Sequence, residues 1–177
     1  QIGANLIIQS GGDGDLHQRE LLRFAPCPVL VARSATPIVG GVILAALDVH
    51  SDNSAHIALN HAVMTAALNL AEETNSTVHL VCALDEKESV ASHLGFEYLG
   101  NINTQQTVIA DRFGVPAEQV HVRLGNPQVI ITECADTIEA DVLVIGTVAR
   151  RGITGKLLGN TAEKVLAKTG CDLLVVN

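Results

Sequence analysis

Aromatic side chains are nearly missing from this sequence: three Phe, one Tyr and no Trp, 2% of 177 residues. A core built without them must be aliphatic and rich in Ala, which suits a parallel sheet covered by helices on both faces. Positive charge is scarce as well. Eleven Lys and Arg stand against nineteen Asp and Glu, a net charge of −8. Such a chain is poorly suited to nucleic acid or an anionic membrane, and its acidity reads first as a solvated surface. No apolar run approaches the ~20 residues that a membrane helix needs, and no signal-peptide pattern is visible. The four cysteines, Cys27, Cys82, Cys134 and Cys171, lie in or beside apolar segments with no C-x-x-C pair. They read as buried thiols of a reducing compartment, so the expected location is cytoplasmic.

Aliphatic residues are plentiful: hydrophobic side chains make up 47% of the chain. The length is enough for one full domain and part of another. The apolar run Val42–Leu47, ending at Asp48, is a predicted buried strand. Ile57, His61, Met64, Leu68 and Ala71 then recur at helical spacing, with Asp52 or Ser54 as the expected cap. Thr77–Leu84 is the next predicted strand, and Asp85–Gly100 carries no clear pattern. A helix over 104–113 is broken by Gly114-Val115-Pro116, and Gln119–Leu124 is a third strand. Asn126-Pro127 is a helix start, with Ile130, Ile131, Cys134, Ala135 and Ile138 on its apolar face. Asp141–Ile145 is a fourth predicted strand, followed by a helix over 160–168 and the closing strand Asp172–Val176. Strands alternating with helices predict a parallel α/β sheet, with the loops after the strands along one edge.

The beginning of the chain repeats its end. Leu21-Leu22 through Cys27-Pro28-Val29-Leu30-Val31 matches Val165-Leu166 through Cys171-Asp172-Leu173-Leu174-Val175 at a constant offset of 144. Upstream, Ala4–Ile8 matches Ala140–Val144 at an offset of 136. Residues 1–33 therefore read as the closing strand–loop–helix–strand portion of a degenerate second copy, 34–41 as a linker and 42–177 as a complete domain. A start at Gln1, in the middle of such a unit, fits a portion of a longer protein.

The stretch Gly146–Glu163 concentrates the chemistry. Its glycines let backbone pass close to phosphates, and the helix beginning near Gly159 aims free N–H groups at the same place. Arg150, Arg151 and Lys156 form the one dense cationic cluster of an acidic chain. It is neither a P-loop nor a G-x-G-x-x-G turn, and glycines alone also suit an ordinary strand-to-helix connection.

Gly146-x2-Ala149-x9-Gly159-Asn160 resembles the universal stress protein pattern G-x2-G-x9-G-[ST]. The flanks agree, from Ala140–Ile145 before the loop to Leu157–Leu166 after it and Cys171–Val176 in the closing strand. Asp48 and Gly125-x-Pro127 match the family's early acidic residue and pre-helix turn, and the Gly-Asn-Thr ending is most similar to tandem, E-type members. The resemblance implies an adenine-nucleotide alpha-hydrolase-like fold, a five-stranded parallel sheet in the order 3-2-1-4-5 with helices on both faces. It also implies ATP or AMP binding, with Mg, in some members. On this chain Asp48 and Ala83 would lie near adenine and ribose, and Gly146, Gly159, Asn160 and Thr161 would hold phosphates, with Thr147, Ala149 and Arg150 in the same loop.

Two positions depart from the pattern. Ala149 replaces a Gly, costing on the order of 1 kcal/mol if positive φ is needed there. Asn160 replaces a hydroxyl residue that Thr161 could supply. The counterpart Ser10–Asp15 brings two acids to where anions would sit and is not expected to bind nucleotide.

Among the histidines, His50, His56 and His61 admit a zinc site, though solvated or core-edge roles suit them better, and His79 and His121 read as structural. Asp48 suits magnesium, a ribose or a helix cap. No Ser-His-Asp or Cys-His arrangement follows from the spacing, so no catalytic residue is assigned and at most slow ATP hydrolysis is expected. The closing strands of the two copies are edges expected to pair, in a homodimer or an intramolecular pseudo-dimer. The functional expectation is a stress-response binding or regulatory protein sensing ATP or AMP. The alternatives are a member binding an apolar or lipid-like ligand and an adaptor acting through dimerisation and protein partners.

Overall fold

The computed structural model describes residues 5–11, 16–49, 53–84, 102–147 and 160–177. Its strands are β1 (Ile7–Ser10), β2 (Val29–Ala32), β3 (Val42–Leu47), β4 (Thr77–Leu84), β5 (Val120–Leu124), β6 (Val142–Gly146) and β7 (Asp172–Val176). The helices are α1 (Leu16–Phe24), α2 (Ser54–Thr74), α3 (Ile102–Phe113), α4 (Pro127–Thr137) and α5 (Asn160–Lys168), with a 3₁₀ turn at Ala117–Gln119.

All seven strands form one sheet in the order β1-β2-β7-β6-β3-β4-β5. From β7 to β5 it is parallel and follows the expected 3-2-1-4-5 connectivity. The expectation of five strands is corrected. β2 joins β7 antiparallel, and β1 joins β2 parallel. Edges as apolar as Val29–Ala32 and Asp172–Val176 leave a row of unpaired backbone groups, and pairing them satisfies both. The front segment therefore extends the sheet of 42–177. Leu30 lies opposite Leu174, 144 positions on. Ile7 pairs with Val29 as Leu143 pairs with Leu173, registers that follow the sequence offsets of 136 and 144.

One face carries α1, α4 and α5 over Leu44, Val81, Leu143, Val29 and Leu173. The other carries α2 and α3 over Ile43, Ala45, Leu80, Val120 and Val144. The helix α2 turns Asn60, Val63, Met64, Ala67 and Ala71 inward. The expected stripe is rotated, for His61 and Leu68 are exposed. The helix is apolar on more than one side, and the small side chains Ala67 and Ala71 suit the sheet face better than Leu68. Its cap is Asn53, which accepts from Ala55 N at 2.9 Å, rather than Ser54, while Asp52 lies outside the described residues. The Asn126 cap and Pro127 start of α4 match expectation, with Asn126 accepting from Gln128 N at 3.0 Å. Just before it Gly125 has φ +136°, a conformation that a side chain would strain.

At the joint of the front segment, Asp172 is buried and its Oδ1 accepts from Arg33 N and Ser34 N at 2.7 and 2.8 Å. The Arg33 guanidinium donates to the carbonyls of Leu166 and Thr169 at the end of α5. In the opposite sense, Asn177 donates to the Ala25 carbonyl just after α1, at 3.1 Å. Each strand end thus reaches a carbonyl at the far helix's C-terminus, groups that a helix leaves unsatisfied.

Candidate functional site

The chain winds from β3 through β4 to β5 on one side of the sheet, then returns through β6 to β7 on the other. The reversal falls between β3 and β6, where an open parallel sheet leaves a crevice at the carboxyl ends of its strands. Ala46 pairs with Ile145, so Asp48 and Thr147, each two residues further on, leave neighbouring strands at the same level. Leu47 pairs with Cys82, which brings Ala83 to that edge next to Asp48. The helix α5 links the end of β6 to the start of β7, so its N-terminal turn, Asn160 to Glu163, opens at this edge too.

Asp48 is held from behind. Its N–H donates to Asn60 Oδ1 at 3.1 Å, and Asn60 Nδ2 donates to its carbonyl at 2.7 Å. Asn60 is buried, so satisfying both ends of its amide fixes the backbone where β3 ends. The Asp48 side chain is 56% exposed, with Oδ2 2.7 Å from Nδ1 of His56 on the first turn of α2. Beneath it, Cys82 is buried, and burial followed by the Asp48 charge pushes its thiol up to about 12.

On the β6 side, Gly146 has a packing reason to lack a side chain. A Cβ there would come within 2.5 Å of Leu59 Cγ. Thr147 N donates to Val176 O at 2.8 Å, and its hydroxyl donates to Asn177 Oδ1 at 2.5 Å. Thr161 is half-buried in the first turn of α5.

Of the site residues expected from the sequence, Asp48, Ala83, Gly146 and Thr147 share the crevice edge, and Asn160 and Thr161 open α5. Ala149, Arg150 and Gly159 lie outside the described residues, as do Arg151, Lys156, His50 and Ser10's partners in the front loop, Gly12 to Asp15. His56 and His61 take different partners, Asp48 for one and the Phe113 ring at 6.1 Å for the other. Among the described residues no group of three or more His, Cys, Asp or Glu is placed to hold a metal. His79 and His121 meet through a nitrogen-to-nitrogen contact of 3.0 Å. Of the cysteines, Cys27, Cys82 and Cys134 are buried, and Cys171 is only half-buried. Burial raises the Cys134 and Cys171 thiols too.

The sequence pattern does not single out Asn60, and it offers His56 only as a zinc candidate or a solvated or core-edge histidine, not as a partner of Asp48. A signal for Asn60 existed, since it lies three residues after Ile57 and four before Met64, a polar side chain set into an apolar helical face. The pairing of His56 with Asp48 left no such signal, because it depends on the path of the loop after β3. A cavity of about 470 Å³ lined by Leu68, Ala71, Val78, Val115 and Pro116 opens at the opposite end of the sheet, beside the start of β4, and is no part of this crevice.

Comparison with known proteins bears on residues 41–177, which match the Universal stress protein family. Universal stress protein E of Escherichia coli strain K12 is 34% identical over 166 residues, covering 88% of this chain and 52% of that protein. The Universal stress protein E homolog of Haemophilus influenzae is 34% identical over 165 residues, covering 88% and 53%. The chain thus spans about half the length of these curated relatives. A crystal structure of a putative universal stress protein from Pseudomonas aeruginosa superposes with a TM-score of 0.81 at 34% identity, covering 97% of this chain and 63% of that one. A universal stress protein from Archaeoglobus fulgidus, 16% identical, shares the fold at a TM-score of 0.66, covering 98% and 60%.

Proposed function

Since the chain belongs to the universal stress protein family, we propose that it is a stress-response binding protein whose crevice between Asp48 and Thr147 takes an adenine nucleotide. The observation that carries this reading is the meeting of Asp48, Ala83 and Thr147 at the switch point of the sheet, with the first turn of α5 opening at the same edge. That arrangement offers a carboxylate for a ribose or a magnesium ion and free helix N–H groups for phosphates. Magnesium is commonly held by one or two carboxylates together with substrate phosphates. Asp48, exposed and with Oδ2 held by His56, suits that share of the coordination. Bound there, magnesium would offset phosphate charge, and Asn60 would keep the carboxylate at the crevice edge.

The tandem arrangement is part of the same proposal. Residues 1–33 are the closing portion of a degenerate copy, 34–41 the linker and 42–177 the binding domain. The β2–β7 pairing then plays the part that two subunits play in a homodimer. The protein acts in the cytoplasm by binding, with ATP hydrolysis slow at most.

One feature favours a second reading. Ala149 stands where the family pattern has Gly, and Asn160 where it has Ser or Thr, which suits a pocket turned to an apolar or lipid-like ligand. Mass spectrometry of the small molecules released on denaturing the purified protein separates the two. ATP or AMP in stoichiometric amount supports the nucleotide reading. A lipid-like species at that amount supports the second and removes the first.

A further inference from the structure

The two ends of the segment between β6 and α5 are both tied to the front of the chain. At the β6 end the tie runs through Asn177. Its Oδ1 accepts from the Thr147 hydroxyl at 2.5 Å, and its Nδ2 donates to the Ala25 carbonyl at 3.1 Å. A carbonyl can only accept and a hydroxyl can turn to donate, so a single orientation of the amide satisfies both partners. At the α5 end, Arg23 Nη2 lies 3.3 Å from Oε1 of Glu163, in the first turn of that helix. Both side chains are about one-third exposed, 31% and 30%.

These ties are not needed to join the front segment to the sheet. The β2–β7 ladder already does that along the strands, and the Asp172 carboxylate and the Arg33 guanidinium add to it at the end away from the crevice edge. Asn177 and Arg23 instead end on Thr147 and on the first turn of α5, the described residues that flank the nucleotide crevice.

We infer that Asn177 and Arg23 are positioning residues through which the front segment sets the geometry of the crevice of residues 42–177. The front segment, whose own loop carries acids in place of a phosphate site, thereby acts as a built-in regulatory partner of the rear one. This inference rests on the nucleotide reading above. Whatever shifts α1, such as a partner bound against it, would shift both ends together.

The test is a calorimetric titration of Mg-ATP into the wild-type chain, Asn177→Leu and Arg23→Gln, with thermal midpoints measured alongside. Asn177→Leu keeps the size of the side chain and removes both hydrogen bonds. Each variant is expected to weaken Mg-ATP by about fivefold, the scale of one or two lost hydrogen bonds. A purely structural role would lower the midpoint and leave the affinity alone, and that result overturns the inference while the nucleotide reading stands. A wild-type chain that takes no Mg-ATP removes both. Amide exchange gives a readout without nucleotide: the Thr147 N–H is expected to exchange faster in Asn177→Leu, and an unchanged rate overturns the Asn177 half.

Discussion

At the residue scale, the crevice is shaped by what each position excludes. Gly146 is the clearest case, since the space a Cβ would fill holds Leu59. Gly146→Ala is expected to destabilise the protein by about 1–3 kcal/mol through overpacking, read as a lower urea midpoint. Adding Leu59→Ala should return part of the loss. An unchanged midpoint in the single variant would show that the contact is soft. Cys82 makes a chemical prediction. With its thiol raised to about 12 by burial and by Asp48, it should resist alkylation at neutral pH in the native protein and react once unfolded. Labelling of native Cys82 at the rate of a free thiol would contradict its burial.

The same scale shows which parts of the site were legible. Asp48, Gly146 and Thr147 could be placed because strand ends follow directly from apolar runs such as Val42–Leu47. Asn177 could not, because its partners Thr147 and Ala25 are 30 and 152 residues away and meet only in the assembled sheet.

At the scale of elements, β4 and β5 carry a pH-sensitive pair. The ring planes of His79 and His121 are 7° from parallel, and one N–H···N bond of 3.0 Å joins them. That bond requires a bare nitrogen facing a protonated one, so two imidazolium rings cannot make it. Burial lowers both below the usual 6.5, and His121 is lowered further by His79 and by Arg123 on its own strand. The unfolded chain therefore takes up protons first as the pH falls. The stability from the neutral pair is complete above the unfolded value of 6.5 and is lost as the pH drops through it toward the folded values. Urea midpoints at about pH 7.5 and about pH 5.5 should differ less in His121→Gln than in the wild type. An equal fall in both would show that the pair does not couple to folding.

Most elements stand where the sequence placed them, with β3, β4, α5 and β7 at the expected bounds. The misses have local causes. Strand β5 begins at Val120 because Ala117–Gln119 closes a 3₁₀ turn. In α2, periodicity could not choose between two apolar sides, and the sheet selected the one with the smaller side chains.

At the scale of the molecule, the offset repeat announced a relation between the two ends of the chain, but not how they meet. Whether two apolar edge strands pair within one chain or between copies depends on the reach of the linker, which pattern reading does not capture. The antiparallel β2–β7 pairing turns five expected strands into seven and carries α1 onto the face that holds α4 and α5. That places the front segment where it reaches both Thr147, through Asn177, and Glu163, through Arg23.

The central claim is that the Asp48–Thr147 crevice binds an adenine nucleotide, and the most direct measurement is calorimetric titration of Mg-ATP into the wild-type chain and into Asp48→Ala. The prediction is saturable one-site heat for the wild type and at least about tenfold weaker binding for the variant, the loss expected when one charged contact is removed, with little change in thermal midpoint because the side chain is exposed. No heat from the wild type, or equal affinity in both, would contradict the claim.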